Sequence, residues 1–227
     1  MDNYYRYNRD FNETYGWSEG DFSKPGLEFV EDLENRCHDF YAETLTKKDD
    51  TLLISVRGDE EAVRKYGCPA KAQILYQVDE NEVRCTLKWF QKDANKMPEA
   101  LWFHYQFDVE NPYRWMMRKL GEAVSPFDVV KGGNRKQHCV EAMEYRGADG
   151  SVTVENIHAP LVSIGGRNLY EMDQKTDSLE NGFYFNLFNN RWGTNFSMWC
   201  EDECQFEFLL KIQTASASRR KCALYSA

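Results

Sequence analysis

The sequence predicts a mainly β protein, an antiparallel β-sandwich with a short helical N-terminal segment. Three observations point there. Aromatic residues make up 15% of the 227 positions, with 14 Phe, 13 Tyr and 6 Trp, and such side chains suit pleated, half-buried surfaces. From Thr51 onward the apolar residues recur with period two. The alternating runs are joined by short polar turns with little helix between them, which favours an antiparallel sandwich over a parallel α/β sheet.

The elements follow in order. In "NYYRYNRDFNETYGW", Tyr4, Tyr7, Phe11 and Tyr15 recur at helical spacing. Pro25 and Gly26 break that pattern. Leu27, Val30, Leu33, Cys37 and Phe40 then fit a second helical stripe, with a strand after residue 36 as the alternative. "TLLISV" reads as a strand. Ile74, Tyr76 and Val78 alternate, "DEN" turns, and Val83, Cys85, Leu87 and Trp89 alternate back, which makes a hairpin. "EALWFHYQF" is a further strand. "NPYRWMMRKLGE" is a helical candidate, with Asn111 as cap, Pro112 in the first turn and Gly121 at the end. "KQHCVEAMEYRGADGSVTVENI" is a second hairpin turning at Asp149-Gly150. "NGFYFNLFNN", "TNFSMWCE" and "CQFEFLLKI" are the last strands. The expected organisation is a partly helical lead-in over 1–48, a sandwich over 49–212, and a disordered tail over 213–227, where the pattern stops after Ile212.

Charge and composition exclude several classes. A formal net charge of −9 suits a polyphosphate backbone poorly, so nucleic acid is not the expected partner. No run of about 18 apolar residues exists to form a membrane helix, and the first residues lack a signal-peptide core. Seven irregularly spaced cysteines without such a signal are expected to be reduced thiols in a cytoplasmic protein.

The chemistry-bearing residues form few motifs. His38, His104, His138 and His158 match no zinc spacing, and no GxSxG elbow is present. Cys139 directly follows His138, so on a strand the two point to opposite faces. Asp128, Glu141, Glu144 and Glu155 are available acids, but nothing in their spacing makes a glycosidase pair. A His with a carboxylate, built on His104 or His138, is the arrangement a small sugar-converting enzyme would need. Gly132-Gly133-Asn134 is a tight turn, or a loop bringing Asn134, Arg135 and His138 to a polar ligand. The densest cluster is "NNRWGTNFSMW" (189–199). It is a hairpin corner or a sugar-facing surface, in which the Trp192 ring would meet sugar C–H groups while Asn189, Asn190 and Asn195 serve hydroxyls.

Four stretches in this order resemble one known family: "MPEALWFHYQF" (97–107), "LGEAVSPFDVVKGGNRKQH" (120–138), "HAPLV" (158–162) and "NLFNNRWGTNFSMW" (186–199). "DFSKPGLEF" (21–29) resembles the start of the same region. The family comprises uncharacterised proteins related to glycoside hydrolase family thirty-eight, the zinc-dependent α-mannosidases. The resemblance is to its C-terminal region, and it implies a supersandwich of the galactose-mutarotase type. It also implies a carbohydrate partner and a catalytic α/β-barrel, in cis or in trans, carrying the zinc and the aspartate nucleophile. This chain matches neither the His-x-Asp zinc motif nor the nucleophile motif, so no catalytic residue and no cofactor carries over. His158 stands where the family is expected to have an acid before "APLV". The function implied is an accessory sandwich that stabilises the barrel and shapes a carbohydrate site. The alternatives are a free-standing carbohydrate-binding module and a small mutarotase-like enzyme.

Overall fold

The computed structural model describes residues 2–5, 36–168, 175–190 and 199–215. The strands β1 (Asp2–Tyr5), β2 (Arg36–Asp39), β3 (Tyr41–Lys48) and β4 (Thr51–Arg57) precede helix α1 (Glu60–Tyr66). Next come β5 (Lys71–Asp79), β6 (Glu82–Phe90), β7 (Glu99–Tyr105), β8 (Met116–Lys119) and β9 (Glu122–Val124). The remaining strands are β10 (Gln137–Cys139), β11 (Ala142–Arg146), β12 (Gly150–Asn156), β13 (Leu161–Ile164), β14 (Phe183–Asn189) and β15 (Cys204–Thr214).

They form two antiparallel sheets. One has six strands in the order β10-β13-β14-β7-β1-β2, and the other nine in the order β3-β4-β5-β6-β15-β12-β11-β8-β9. Period-two alternation sends one set of side chains from each sheet into a shared core. Phe103, Phe183 and Phe185 come from the six-stranded sheet, and Leu87, Trp89 and Phe208 from the nine-stranded one. Phe185 and Phe208 meet across the gap with ring centroids 5.0 Å apart, and Phe103 and Phe208 at 5.5 Å. The chain is therefore a mainly β, antiparallel sandwich. Among the described residues no helix is long and apolar enough to cross a membrane.

Several expectations hold locally. β5 and β6 form the predicted hairpin, with Val83, Cys85, Leu87 and Trp89 on the inner face. β11 and β12 form the second, turning through Asp149. Others need correction. Tyr4 belongs to β1, while Tyr7, Phe11 and Tyr15 lie outside the described residues. Cys37 belongs to β2, so the chain takes the strand alternative after residue 36; Leu27, Val30 and Leu33 lie outside the described residues. β1, β2 and β3 all join the two sheets, so positions before 49 are strand where they are described. The helix expected from Asn111 shrinks to a 3₁₀ turn at Pro112–Arg114, although Asn111 does cap it by accepting the Tyr113 N–H. Trp115 and Met117 are both buried two residues apart, a spacing that a strand satisfies and a helix does not. Gly121 ends no helix; with Leu120 it makes the positive-φ turn from β8 to β9.

β15 continues past Ile212 to Thr214, opposite Gly150. Of the strand expected over "TNFSMWCE", residues 194–198 lie outside the description, and 199–201 are not strand. Helix α1 has no counterpart in the sequence reading. Asp59 caps it by accepting the Ala62 N–H at 3.0 Å, and Gly67 ends it at φ 71°.

Candidate functional site

The amides singled out in the sequence are engaged in the fold. Asn190 is 4% exposed. Its Oδ1 accepts the Glu99 N–H at 2.8 Å, and its Nδ2 donates to the Asn95 and Met97 carbonyls at 3.1 and 2.9 Å. It ties β14 to the segment leading into β7. Asn189 donates to Asn186 Oδ1 at 2.9 Å, and Asn186 Nδ2 donates to the Phe188 carbonyl at 3.3 Å, at the bulge where β14 pairs with β7. Trp192 and Asn195 lie outside the described residues.

Asn134 is exposed, and its Oδ1 accepts the Lys136 and Gln137 N–H groups at 2.8 and 3.1 Å, so it shapes its own turn. His138 is 4% exposed and lies opposite Val162, a core residue, so it faces the interior. Burial, followed by the charge of Lys119, lowers its pKa to about 4; a backbone hydrogen bond with Arg135 acts the other way. Its Nε2 has no hydrogen-bond partner among the described residues. Val162 lies in turn opposite Phe185, four positions before Asn189 on β14. Strand rise therefore separates His138 from Asn189 by about 13 Å along the sheet. The structure does not gather these four residues into one site.

The other residues weighed from sequence also have structural partners. His104 stacks on Tyr184 with centroids 4.0 Å apart, and its Nε2 meets the Asn181 carbonyl at 2.8 Å. His158 Nδ1 accepts the Glu207 N–H at 3.2 Å and so joins the 157–158 turn to β15. Among the described residues no three His, Cys, Asp or Glu side chains group as a metal site.

A different surface has the geometry of a site. On the nine-stranded sheet, Val152, Val154 and Leu210 point into the core, so Ser151, Thr153, Lys211 and Gln213 point out. There Arg146 lies opposite Ser151, and Ser151 opposite Gln213; Glu144 lies opposite Thr153, and Thr153 opposite Lys211. Arg146, Ser151, Thr153, Lys211 and Gln213 line an open groove of about 570 Å³, closed at one end by Gly147, Gly150, Thr214 and Ala215. A second groove of about 440 Å³, lined by Arg114, Met116, Ala123, Glu144 and Arg146, adjoins it through Arg146.

The turn at the end of the groove is firmly held. Tyr145 donates to Asp149 Oδ1 at 2.7 Å, and the Glu110 N–H donates to Oδ2 at 2.8 Å. Those bonds, the one from Tyr145 first, keep the Asp149 carboxyl below its ordinary range. Gly150, at φ 146°, lets β12 approach β15 so closely that a Cβ there would collide with the Gln213 carbonyl.

Beside the grooves, Arg118 donates from Nη1 to Glu144 and from Nη2 to Glu155, each at 3.0 Å. Burial pushes the Glu155 carboxyl up, but Arg118 and Lys211 outweigh it and hold the group below its ordinary value. The surface therefore offers hydroxyls, an amide, fixed carboxylates and cations, all groups that pair with the hydroxyls of a polar ligand. Sequence reading named Glu144 and Glu155 but missed the groove, because its residues come from β11, β12 and β15 and meet only in the register of the sheet. The available signal was the polar half of each alternating strand.

No protein-family model matches the chain, and no curated protein does. Among solved structures it is similar to a protein from Synechocystis, at 10% identity and TM-score 0.41, over 78% of this chain and 66% of that one. It is similar to an alpha-mannosidase from Enterococcus faecalis, at 10% identity and TM-score 0.48, over 86% of this chain and 25% of that one. A galactose mutarotase related enzyme from Lactobacillus acidophilus matches at 15% identity and TM-score 0.36, over 80% of this chain and 74% of that one. The chain thus spans 66% and 25% of the length of the first two. At these values the likenesses carry no argument about chemistry, and the fold class rests on the two sheets themselves.

Proposed function

We propose that the chain is a carbohydrate-binding β-sandwich, the accessory part of an α-mannosidase-like glycoside hydrolase related to family thirty-eight. The observation that carries the carbohydrate reading is the outward groove of Arg146, Ser151, Thr153, Lys211 and Gln213. Its hydroxyl, amide and cationic groups sit on neighbouring strands of a sheet, where backbone pairing holds them in place. The mannosidase relation rests on the ordered motifs of the sequence. In this reading a catalytic α/β-barrel, in cis or in trans, supplies the zinc and the nucleophile.

The acids of this chain support a binding role. A glycosidase general acid needs a carboxyl held up in pKa. The carboxyls of Asp59, Glu61, Asp149 and Glu155 are all shifted downward. Cys85, Cys139, Cys200 and Cys204 are thiols outside any disulfide, in keeping with the reducing cytoplasm where we place the protein. Trp192 and Asn195 remain proposed contributors to a sugar-facing surface.

The test is titration of the isolated chain with mono- and oligosaccharides, followed by NMR. Perturbed resonances at Ser151, Thr153 and Gln213, weakened by Thr153→Val, are the expected result. Hydrolysis of aryl α-mannosides by the isolated chain with added zinc would overturn the accessory role. A free-standing binding module is the second reading. Unaltered sugar affinity on adding a purified barrel partner would select it.

A further inference from the structure

We propose that the groove selects sugars that carry a negative charge, a carboxylate or a phosphate. The proposal rests on the carbohydrate reading and names its ligand class. The chain as a whole is acidic, with 37 Asp and Glu against 28 Lys and Arg. The two joined grooves reverse that balance. Their lining holds Arg114, Arg146 and Lys211 against a single carboxylate, Glu144. Glu144 is already bound by Arg118 at 3.0 Å. A cation-lined concavity in an acidic surface concentrates anions locally.

The cations differ in what they have to spare. Arg146 is exposed, and its side chain makes no ion pair or hydrogen bond among the described residues. Its guanidinium, shared by both grooves, is therefore available to a ligand. Lys211 lies 3.5 Å from Glu155 and 3.8 Å from Glu82, and Glu155 is also held by Arg118. Arg146 and Lys211 stand two strands apart and are offset by one two-residue step. Strand spacing and rise put their Cα atoms roughly 12 Å apart, with Ser151 and Thr153 on the floor between them. Two long side chains can converge over that floor from opposite sides.

Each group then has a task suited to its chemistry. The planar Arg146 fork receives a carboxylate or phosphate through two parallel N–H···O bonds. Lys211 adds a point charge from the other side. Ser151, Thr153 and Gln213 exchange hydrogen bonds with ring hydroxyls. A neutral sugar gains no charge–charge attraction from Arg146 and Lys211.

The experiment titrates the full chain with glucuronate, glucose 6-phosphate, glucose and inorganic phosphate, before and after Arg146→Gln. Either charged sugar should bind about tenfold or more tighter than glucose, and Arg146→Gln should remove that advantage. The two charged sugars show whether carboxylate or phosphate is preferred. Equal affinity for glucose and both charged sugars overturns the proposal; the carbohydrate reading survives if Thr153→Val then weakens glucose binding. Inorganic phosphate binding as tightly as glucose 6-phosphate, with no response to any sugar hydroxyl, overturns the carbohydrate reading as well. If Arg146→Gln lowers the melting temperature, Lys211→Gln decides: an unchanged preference for charged sugars overturns the proposal, and a reduced one supports it.

Discussion

The Asn190 side chain accepts the backbone N–H of Glu99 at 2.8 Å, and through its amide nitrogen it holds the carbonyls of Asn95 and Met97. One buried carboxamide thus fixes the path by which the chain enters β7. Asn190→Ala leaves the buried Glu99 N–H and the half-buried Asn95 and Met97 carbonyls short of a partner, at about 1–3 kcal/mol for a buried group. Denaturant unfolding should show a loss of that order, with saccharide affinity unaltered. A variant of native stability would contradict this role.

Below Asn190 lies an ion pair. Lys92 Nζ donates to the Glu99 carboxylate at 2.5 Å and to the Gly67 carbonyl at 2.8 Å, and both side chains are fully buried. Removing one partner strands a buried charge. Lys92→Met should cost about 3–5 kcal/mol, and Lys92→Met with Glu99→Leu should recover much of it. Equal losses in the single and double variants would remove the coupling.

His138 makes stability depend on pH. Its folded pKa, about 4, lies below the ordinary 6.5 because the ring is buried. Between those values the unfolded chain binds more protons than the folded one. Stability is therefore fully present above about pH 6.5 and is lost as pH falls toward 4, by at most about 3 kcal/mol. His138→Phe should flatten that segment of the stability curve. An unchanged slope would assign the acid sensitivity to other groups.

Gly150 controls the shape of the groove. Gly150→Ala forces a Cβ against the Gln213 carbonyl at a φ of 146°, a strain on the order of 1–3 kcal/mol. The variant should melt lower and bind saccharides more weakly, because β12 and β15 must separate beneath Ser151 and Gln213. Crystallographic comparison of the strand separation provides the check.

Trp192 tests the sugar-facing proposal for the 189–199 stretch. Trp192→Ala should weaken glycan binding and scarcely move the melting temperature. A large loss of stability with unaltered binding would make the stretch a structural corner.

Much of the fold was legible in the chain. The period-two runs of β5, β6 and β15 announced themselves, because each buries one face and exposes the other. α1 was missed although Asp59 and Gly67 mark its ends: at seven residues it is too short to show a helical stripe. The stretch after Asn111 misled because a cap, a proline and a glycine fit a helix. Burial of Trp115 and Met117 decided for a strand.

The amides of Asn189 and Asn190 looked free in sequence, since nothing local shows that a bulge and a distant loop will claim them. The β class, the two hairpins and the acidic balance could be read from the chain, since they depend on spacing and composition. Which polar groups remain available depends on the folded arrangement of the strands. Arg146 and Lys211 are 65 positions apart and share a groove only because β12 lies between their strands, a neighbourhood that register creates.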